Sequence, residues 1–213
     1  VRFHPGENAN DPEFARELAS LADIFVNDAF GAAHRAHAST AGVAEYLPAY
    51  AGLLFAREIE TLTGILEDPE RPFVAILGGS KVSDKIGVID KLLDTVNQLV
   101  IGGGMCFTFL KAKGLDVGKS ILEVEWIDHA GKVLEAAREK GVEILLPVDF
   151  VVTDTFADDA DTQIVGREEI PADMMGLDIG PTTIELYKHA IADARTIFWN
   201  GPMGVFEMQP LEA

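Results

Sequence analysis

Phe73-Val74-Ala75-Ile76-Leu77-Gly78-Gly79-Ser80-Lys81-Val82-Ser83-Asp84-Lys85-Ile86 decides how this chain is read. An apolar run rich in β-branched residues stops at two glycines and reads as a buried strand. Gly78 and Gly79 let the backbone turn tightly and approach a ligand closely. A helical pattern follows from about residue 81 to 95, and a helix start there would aim unpaired N–H groups and a positive dipole end at the same spot. Lys81 and Lys85 are four residues apart, so such a helix would carry both on one face. The corner reads either as a phosphate site at the carboxyl end of a parallel strand, or as an ordinary strand–turn–helix corner with two solvated lysines. Corners of this kind recur throughout open α/β sheets.

Downstream the pattern repeats. Residues 98–101 form a strand that runs into Gly102-Gly103-Gly104, followed by helices over 105–113 and 124–140. Residues 143–152 are strand-like, with Pro147 implying a break or an edge position. An acidic loop covers 157–161, a short strand 175–180 ends in glycine, a helix spans 181–194, and a strand from Thr196 ends at Asn200-Gly201-Pro202. Alternating β and α elements predict an α/β fold with doubly wound parallel sheets. Four of its strands end in glycine: Gly78-Gly79, Gly102-Gly103-Gly104, Gly180 and Gly201. Ligands of open parallel sheets bind outside those carboxyl ends, so one rim of glycines with two lysines favours a nucleotide cleft.

Upstream, residues 1–10 are rich in turn chemistry, and Asp11 with Pro12 forms a helix start. Residues 22–30 read as a short strand entering the loop 31–40, where His34, Arg35 and His37 stand among small residues. That loop is either an anion-binding element or a surface loop whose histidines bond to backbone; His34 and His37 lack a nearby third metal ligand. Residues 51–67 form an amphipathic helix, stopped by Asp68-Pro69-Glu70-Arg71-Pro72. It has the place of a domain connector, which gives residues 1–50 as one partial domain, 51–70 as the connecting helix and 71–213 as a second domain.

Composition sets limits. The chain has 213 residues, 48% of them hydrophobic and 24% charged, which is a globular composition. A net charge of −18 argues against nucleic acid and anionic membranes as partners. The one cysteine, Cys106, can form no intrachain disulfide and reads as a packed thiol. No membrane span or signal peptide is visible, so a cytoplasmic location is expected. No apolar heptad signals self-association, so a monomer is expected. There is no Gly-x-Gly-x-x-Gly at a strand end and no Gly-x-Ser-x-Gly elbow. Gly114-Leu115-Asp116-Val117-Gly118-Lys119-Ser120 imitates a P-loop, but it is one residue short between its glycines and follows a helical stretch.

Several stretches together carry a family resemblance. They are Val1-Arg2-Phe3-His4, the segment from Asn27-Asp28 to His37, Leu77 to Ile86, Ile101 to Met105, Met175 to Pro181 and Trp199 to Glu207. In order and spacing they closely resemble the phosphoglycerate kinases. The resemblance implies two Rossmann-like domains joined by a helix, a glycolytic phosphotransferase moving the acyl phosphate of 1,3-bisphosphoglycerate to ADP to give 3-phosphoglycerate and ATP, and Mg²⁺ carried with the nucleotide. By that resemblance Arg2, Arg35 and His37 bind the three-carbon substrate, and Lys85 and Arg35 are catalytic. Gly78, Gly79, Lys81, Lys85, Gly103, Gly104, Gly176, Leu177, Asn200, Pro202, Gly204, Val205 and Glu207 bind the nucleotide. No metal is held by the protein alone. The family's opening segment, with its further substrate arginine, and its closing glycine-rich motif have no counterpart here. The chain is therefore expected to be part of such an enzyme, to be inactive alone, and to expose apolar surface where further strands would pack. Two other readings stand beside this one: a non-catalytic nucleotide-binding module, and a structural α/β domain whose glycines only make turns.

Overall fold

Asp11 and Pro12 start a helix as their chemistry dictates: the Asp11 carboxylate accepts the Phe14 N–H at 2.9 Å, and proline occupies the first helical position. The computed structural model describes residues 1–157 and 159–207. It divides into two compact units, Val1–Asp68 and Pro69–Ala213. Asp158 of the acidic loop and the terminal stretch 208–213 lie outside the described residues.

The first unit contains α1 (Pro5–Asn8), α2 (Pro12–Ala19), β1 (Phe25–Asn27), α3 (Phe30–Ala33), a short 3-10 turn at Gly42–Glu45, β2 (Ala49–Ala51) and α4 (Leu53–Glu67). β1 and β2 pair in parallel, with Phe25 opposite Ala49. Turn chemistry at 1–10 resolves into the single helical turn of α1, with His4 as its cap. The buried Glu7 carboxylate holds the 34–41 loop by accepting both the N–H and the hydroxyl of Ser39. Asp28 caps α4 by accepting the Phe55 N–H at 3.0 Å. No residue of α4 is buried, and Leu53, Leu54, Ile59 and Leu66 are exposed.

The second unit is built on β3 (Phe73–Leu77), α5 (Ile86–Leu92), β4 (Gln98–Ile101), α6 (Cys106–Ala112), α7 (Ile127–Lys140), β5 (Glu143–Leu145), β6 (Asp149–Thr153), β7 (Gln163–Gly166), β8 (Met175–Ile179), α8 (Pro181–Ala192) and β9 (Thr196–Asn200). Four strands form a parallel sheet in the order β5-β4-β3-β9. β3 is buried at every residue, as a central strand covered on both faces must be. By the strand's period of two, Val74 and Ile76 share one face. That face joins Val100, Ile179 and Tyr187 in a core that Ile184, Ala190 and Ile191 of α8 cover. β9 is an edge strand of this sheet and leaves Ile197 and Trp199 exposed. Cys106 is buried, and desolvation pushes its thiol pKa up; it is the packed thiol expected of it.

Two features depart from the sequence reading. α5 begins at Ile86, not near residue 81, so Lys81 lies in the preceding loop and Lys85 at the cap position. The two lysines therefore do not ride on one helical face. Pro147 divides the expected strand 143–152 between two sheets: β5 stays in the parallel sheet, while β6 is the middle of an antiparallel sheet, β7-β6-β8. The parallel sheet thus has an antiparallel companion, and β7 was unforeseen.

Asp149 ties β6 to α8. Its carboxylate accepts the N–H of Thr182 at 2.9 Å, the N–H of Thr183 at 2.8 Å and the Thr183 hydroxyl at 2.6 Å. Burial raises its pKa, but these donors outweigh that and hold it below the ordinary carboxylate value. A carboxylate whose folded pKa is depressed contributes stability that is whole above its unfolded pKa of about 4 and is lost as pH falls through the lower folded value. Asp149→Ala should cost about 3 kcal/mol at neutral pH, since it leaves buried donors unpaired at a helix start. The difference from the unaltered protein should shrink below about pH 4. Urea unfolding followed by tryptophan fluorescence checks both, because Trp126 and Trp199 both lie in the second unit. A pH-independent difference would contradict the ionised cap.

Candidate functional site

Strand order reverses direction at β3: the chain steps from β3 to β4 to β5, then returns to place β9 on the other side of β3. Such a reversal opens a crevice at the carboxyl ends of the strands. The second unit has a cleft of about 360 Å³ there, lined by Gly79, Ser80, Gly103, Gly104, Ile121, Gly176, Leu177, Pro202, Gly204, Val205, Phe206 and Glu207. Four loops contribute, those after β3, β4 and β9 and the segment before α7, together with β8.

Backbone contact between those loops builds the floor. The Gly79 N–H donates to the Pro202 carbonyl at 3.1 Å, the Met105 N–H to the Gly79 carbonyl at 3.0 Å, and the Gly103 N–H to the Met203 carbonyl at 2.6 Å. A Cβ on Gly78 would overlap the Pro202 carbonyl oxygen, so only glycine lets β3 and β9 end this close together. Gly201 has a φ of 92°, in the left-handed region, and a Cβ there would strike the Gly78 carbonyl. The Trp199 indole N–H donates to the Gly201 carbonyl at 2.8 Å and fixes the same turn. On the helix side, the buried Tyr187 hydroxyl donates to the Ile101 carbonyl at 2.6 Å and anchors the end of β4. Desolvation raises the Tyr187 pKa, which keeps it a donor.

Of the nucleotide-side residues expected from sequence, Gly79, Gly103, Gly104, Gly176, Leu177, Pro202, Gly204, Val205 and Glu207 converge on this cleft. Gly78 is not among the residues lining it: it is buried beneath Pro202, where it allows the strand ends to pack closely. Lys85 and Asn200 are outside the lining but beside it. The Lys85 ammonium donates to the Asn200 side-chain oxygen. The Lys85 Cε lies 4.0 Å from where a Cβ on Gly79 would stand, so its stem passes over a lining residue. Lys81 is exposed in the loop before α5.

Sequence reasoning missed Ser80, Ile121 and Phe206. A search for glycines and cations overlooks apolar walls, although pockets for flat ligands are mostly apolar. Ile121 had a signal, because it directly follows the false P-loop. That segment turns out to be an anchor: the Ser120 hydroxyl accepts the Gly176 N–H at 2.9 Å, and the Lys119 N–H donates to the Met174 carbonyl at 2.7 Å. It holds β8 against the cleft.

The three residues expected on the substrate side lie in the first unit. Arg2 and Arg35 are exposed, with the Arg35 Nε donating to His34 Nε2 at 3.3 Å. The His37 ring stands 3.8 Å from the Glu7 carboxylate, and its backbone N–H donates to the Thr40 hydroxyl at 3.0 Å. The His37 backbone, rather than its ring, is thus engaged in holding its own loop. Among the described residues, no group of three or more His, Cys, Asp or Glu side chains is placed to hold a metal ion. Glu207 is the carboxylate of the cleft lining.

A family model described as phosphoglycerate kinase matches residues 1–213. The phosphoglycerate kinase of Thermosynechococcus vestitus (strain NIES-2133 / IAM M-273 / BP-1) is 59% identical over 208 residues, covering 97% of this chain and 52% of that protein. That of Synechococcus sp. (strain JA-3-3Ab) is 58% identical over 214 residues, covering 100% and 52%. The solved phosphoglycerate kinase of Coxiella burnetii superposes with a TM-score of 0.84 at 49% identity, covering 99% of this chain and 55% of that one. The enzyme of Pyrococcus horikoshii OT3 gives 0.83 at 30% identity, with the same coverage. The chain spans about half the length of the curated relatives it matches.

Backbone-to-backbone packing makes Gly78 irreplaceable, whereas Gly131 in α7 faces open space. Gly78→Ala should lower the unfolding midpoint sharply and abolish ligand binding in the cleft. Gly131→Ala should raise stability by about 1 kcal/mol, the helix-interior difference between the two residues. Thermal unfolding of both variants separates the two cases; equal effects would contradict the packing.

Proposed function

The chain belongs to the phosphoglycerate kinase family, and from that premise we propose that it carries the nucleotide side of a phosphoryl transfer between 1,3-bisphosphoglycerate and ADP. In that reaction the terminal ADP oxygen attacks the acyl phosphate. Its O–P bond forms as the bond to the carboxyl oxygen breaks, leaving 3-phosphoglycerate and ATP; the reverse step is equally available. Chemistry of this kind needs in-line positioning and charge stabilisation more than proton transfer. The observation that carries the reading is the cleft at the strand-order reversal, with a glycine floor, apolar walls and the Lys85 ammonium at its rim.

Each part has a task on this reading. Ile121, Leu177, Val205 and Phe206 are apolar surface for the base, and the glycines let it lie close to the backbone. Glu207 accepts from ribose hydroxyls. Lys85, oriented by Asn200, reaches the phosphates and the migrating group, with Lys81 as a second cation in the same loop. Arg2, Arg35 and His37 serve the three-carbon substrate, and Arg35 also offsets charge on the transferring phosphoryl. The helix Leu53–Glu67 joins the two domains. Mg²⁺ fits as cargo of the nucleotide: one cleft carboxylate and no acidic cluster among the described residues suit an ion held chiefly by phosphate oxygens and water. We propose a monomer in the cytoplasm. No helix of the described residues is long and apolar enough to cross a membrane, and the charge of −18 disfavours nucleic acid.

Calorimetric titration with MgADP should show binding. Lys85→Ala should weaken ADP at least tenfold, the usual loss when a charge-assisted hydrogen bond is removed, and leave adenosine unchanged. Equal loss of both ligands, or no ADP binding by the unaltered chain, would overturn the reading. Titration with 3-phosphoglycerate separates a transferase from a plain nucleotide binder, which needs no arginines of the Arg2 and Arg35 kind. The 213-residue polypeptide alone should give no turnover in a coupled assay; rates of about 1 s⁻¹ or more would contradict that.

A further inference from the structure

Glu123 is an acid in the segment before α7, forty residues along the chain from the lysine loop, yet its carboxylate is bonded into that loop. One oxygen accepts the Ser83 N–H at 2.9 Å and the other accepts the Ser83 hydroxyl at 2.7 Å. Ser83 lies between Lys81 and Lys85. The loop has other ties. Val82 is fully buried, and its carbonyl accepts the N–H groups of Lys85 and Ile86 at 2.9 Å each. Glu123 is itself held, because its N–H donates to the hydroxyl of Thr108, a buried residue of α6, at 3.4 Å. Two residues before it, Ile121 forms part of the cleft wall.

From this geometry we propose that Glu123 is a positioning residue: through Ser83 it fixes the loop that carries Lys81 and Lys85, and so sets where those two ammonium groups meet the phosphates of a nucleotide bound by Ile121. The inference rests on the nucleotide reading above and adds a residue outside the cleft lining to it. A carboxylate suits the task because it accepts two bonds from one residue in a fixed fork. Half-burial alone would raise the Glu123 pKa. The Ser83 hydroxyl, the N–H groups of Ser83 and Val82, and the Lys81 charge outweigh it and hold the pKa below the ordinary value. The acid is therefore ionised, and bonded, across the neutral range.

A carboxylate near Lys81 could act in the opposite sense by competing with a phosphate for the same cation. The contacts favour positioning. Glu123 bonds to Ser83, and no ion pair joins it to Lys81 among the described residues.

The test compares Glu123→Ala, Ser83→Ala and Glu125→Ala. Glu125 is an exposed neighbouring acid, so its variant makes the same charge change without touching the loop. Affinities for MgADP and for adenosine are measured by competition against a fluorescent ADP analogue, and amide exchange is followed at Ser83. Glu123→Ala should weaken ADP about tenfold, leave adenosine within twofold, and speed exchange at Ser83. Ser83→Ala, which keeps the N–H bond, should weaken ADP by a smaller factor, and Glu125→Ala should leave both ligands unchanged. ADP binding by Glu123→Ala that is unchanged or tighter overturns the proposal, as does an equal loss of ADP and adenosine, or a Glu125→Ala effect as large as that of Glu123→Ala. Failure of the unaltered chain to bind ADP removes the nucleotide reading itself, and this inference with it.

Discussion

Three strand ends meet so closely at the rim of the parallel sheet that backbone packs on backbone, and everything at the cleft depends on that contact. Gly78, at the end of β3, lies beneath the Pro202 carbonyl, and Gly201, after β9, lies against the Gly78 carbonyl. The polar groups this approach buries are paired with one another: Gly78 N–H with the Asn200 carbonyl, Gly79 N–H with that of Pro202, and Gly103 N–H with that of Met203. Buried backbone donors and acceptors left unpaired would destabilise the rim, so approach and pairing go together. A side chain at Gly78 or Gly201 would wedge the strands apart and break the bonds in the same movement. The pairing of Lys85 with Asn200 follows from this, since Asn200 is held by its own carbonyl to Gly78.

The sheet was legible because its signal is local. The apolar runs at 73–77, 98–101 and 196–200 each form a strand, and glycine marks the carboxyl end of each. What long-range contact decides was not legible. Helical periodicity begins near Lys81, yet α5 starts at Ile86. Val82 is buried and Ser83 is bonded to Glu123, so the segment 81–85 satisfies its groups without the helix. Pro147 announces a break, but nothing local says that the chain beyond it joins a different sheet. β6 owes its place to pairing with β7 and β8, and β7 is an exposed edge strand within a polar stretch.

The site divides along the same line. Glycines and cations can be picked out by residue type, and nine of the thirteen residues expected on the nucleotide side line one cleft. Gly78 shows the limit of that logic, for a glycine beside a site can serve the packing of the scaffold. Ile121 and Phe206 show its converse, since apolar walls look like any other apolar residue until the fold brings them together. In the first unit Asp28 and Glu7 carry a similar lesson. Asp28, inside a stretch that carries the family resemblance, acts as a helix cap, and Glu7 acts as the tether of a loop.

The acidity of the chain and the proposed nucleotide reading of the cleft are reconciled by where positive potential would come from. A helix start after a strand is the usual source, because its N–H groups are free. In this chain several of those groups are engaged within the protein. Glu123 binds the turn that opens α5, and Asp149 binds the first turn of α8. At α6, the N–H groups of Met105 and Cys106 donate to the carbonyls of Gly79 and Gly103. With those donors engaged, the lysines of the β3–α5 loop are the cations nearest the cleft. Of these, the Lys85 ammonium is held by Asn200 while Lys81 is exposed, so where both stand depends on how firmly their loop is held. The glycine floor and the Glu123 tether then belong to one arrangement: the floor sets the shape of the cleft, and the tether holds the loop that carries the two lysines.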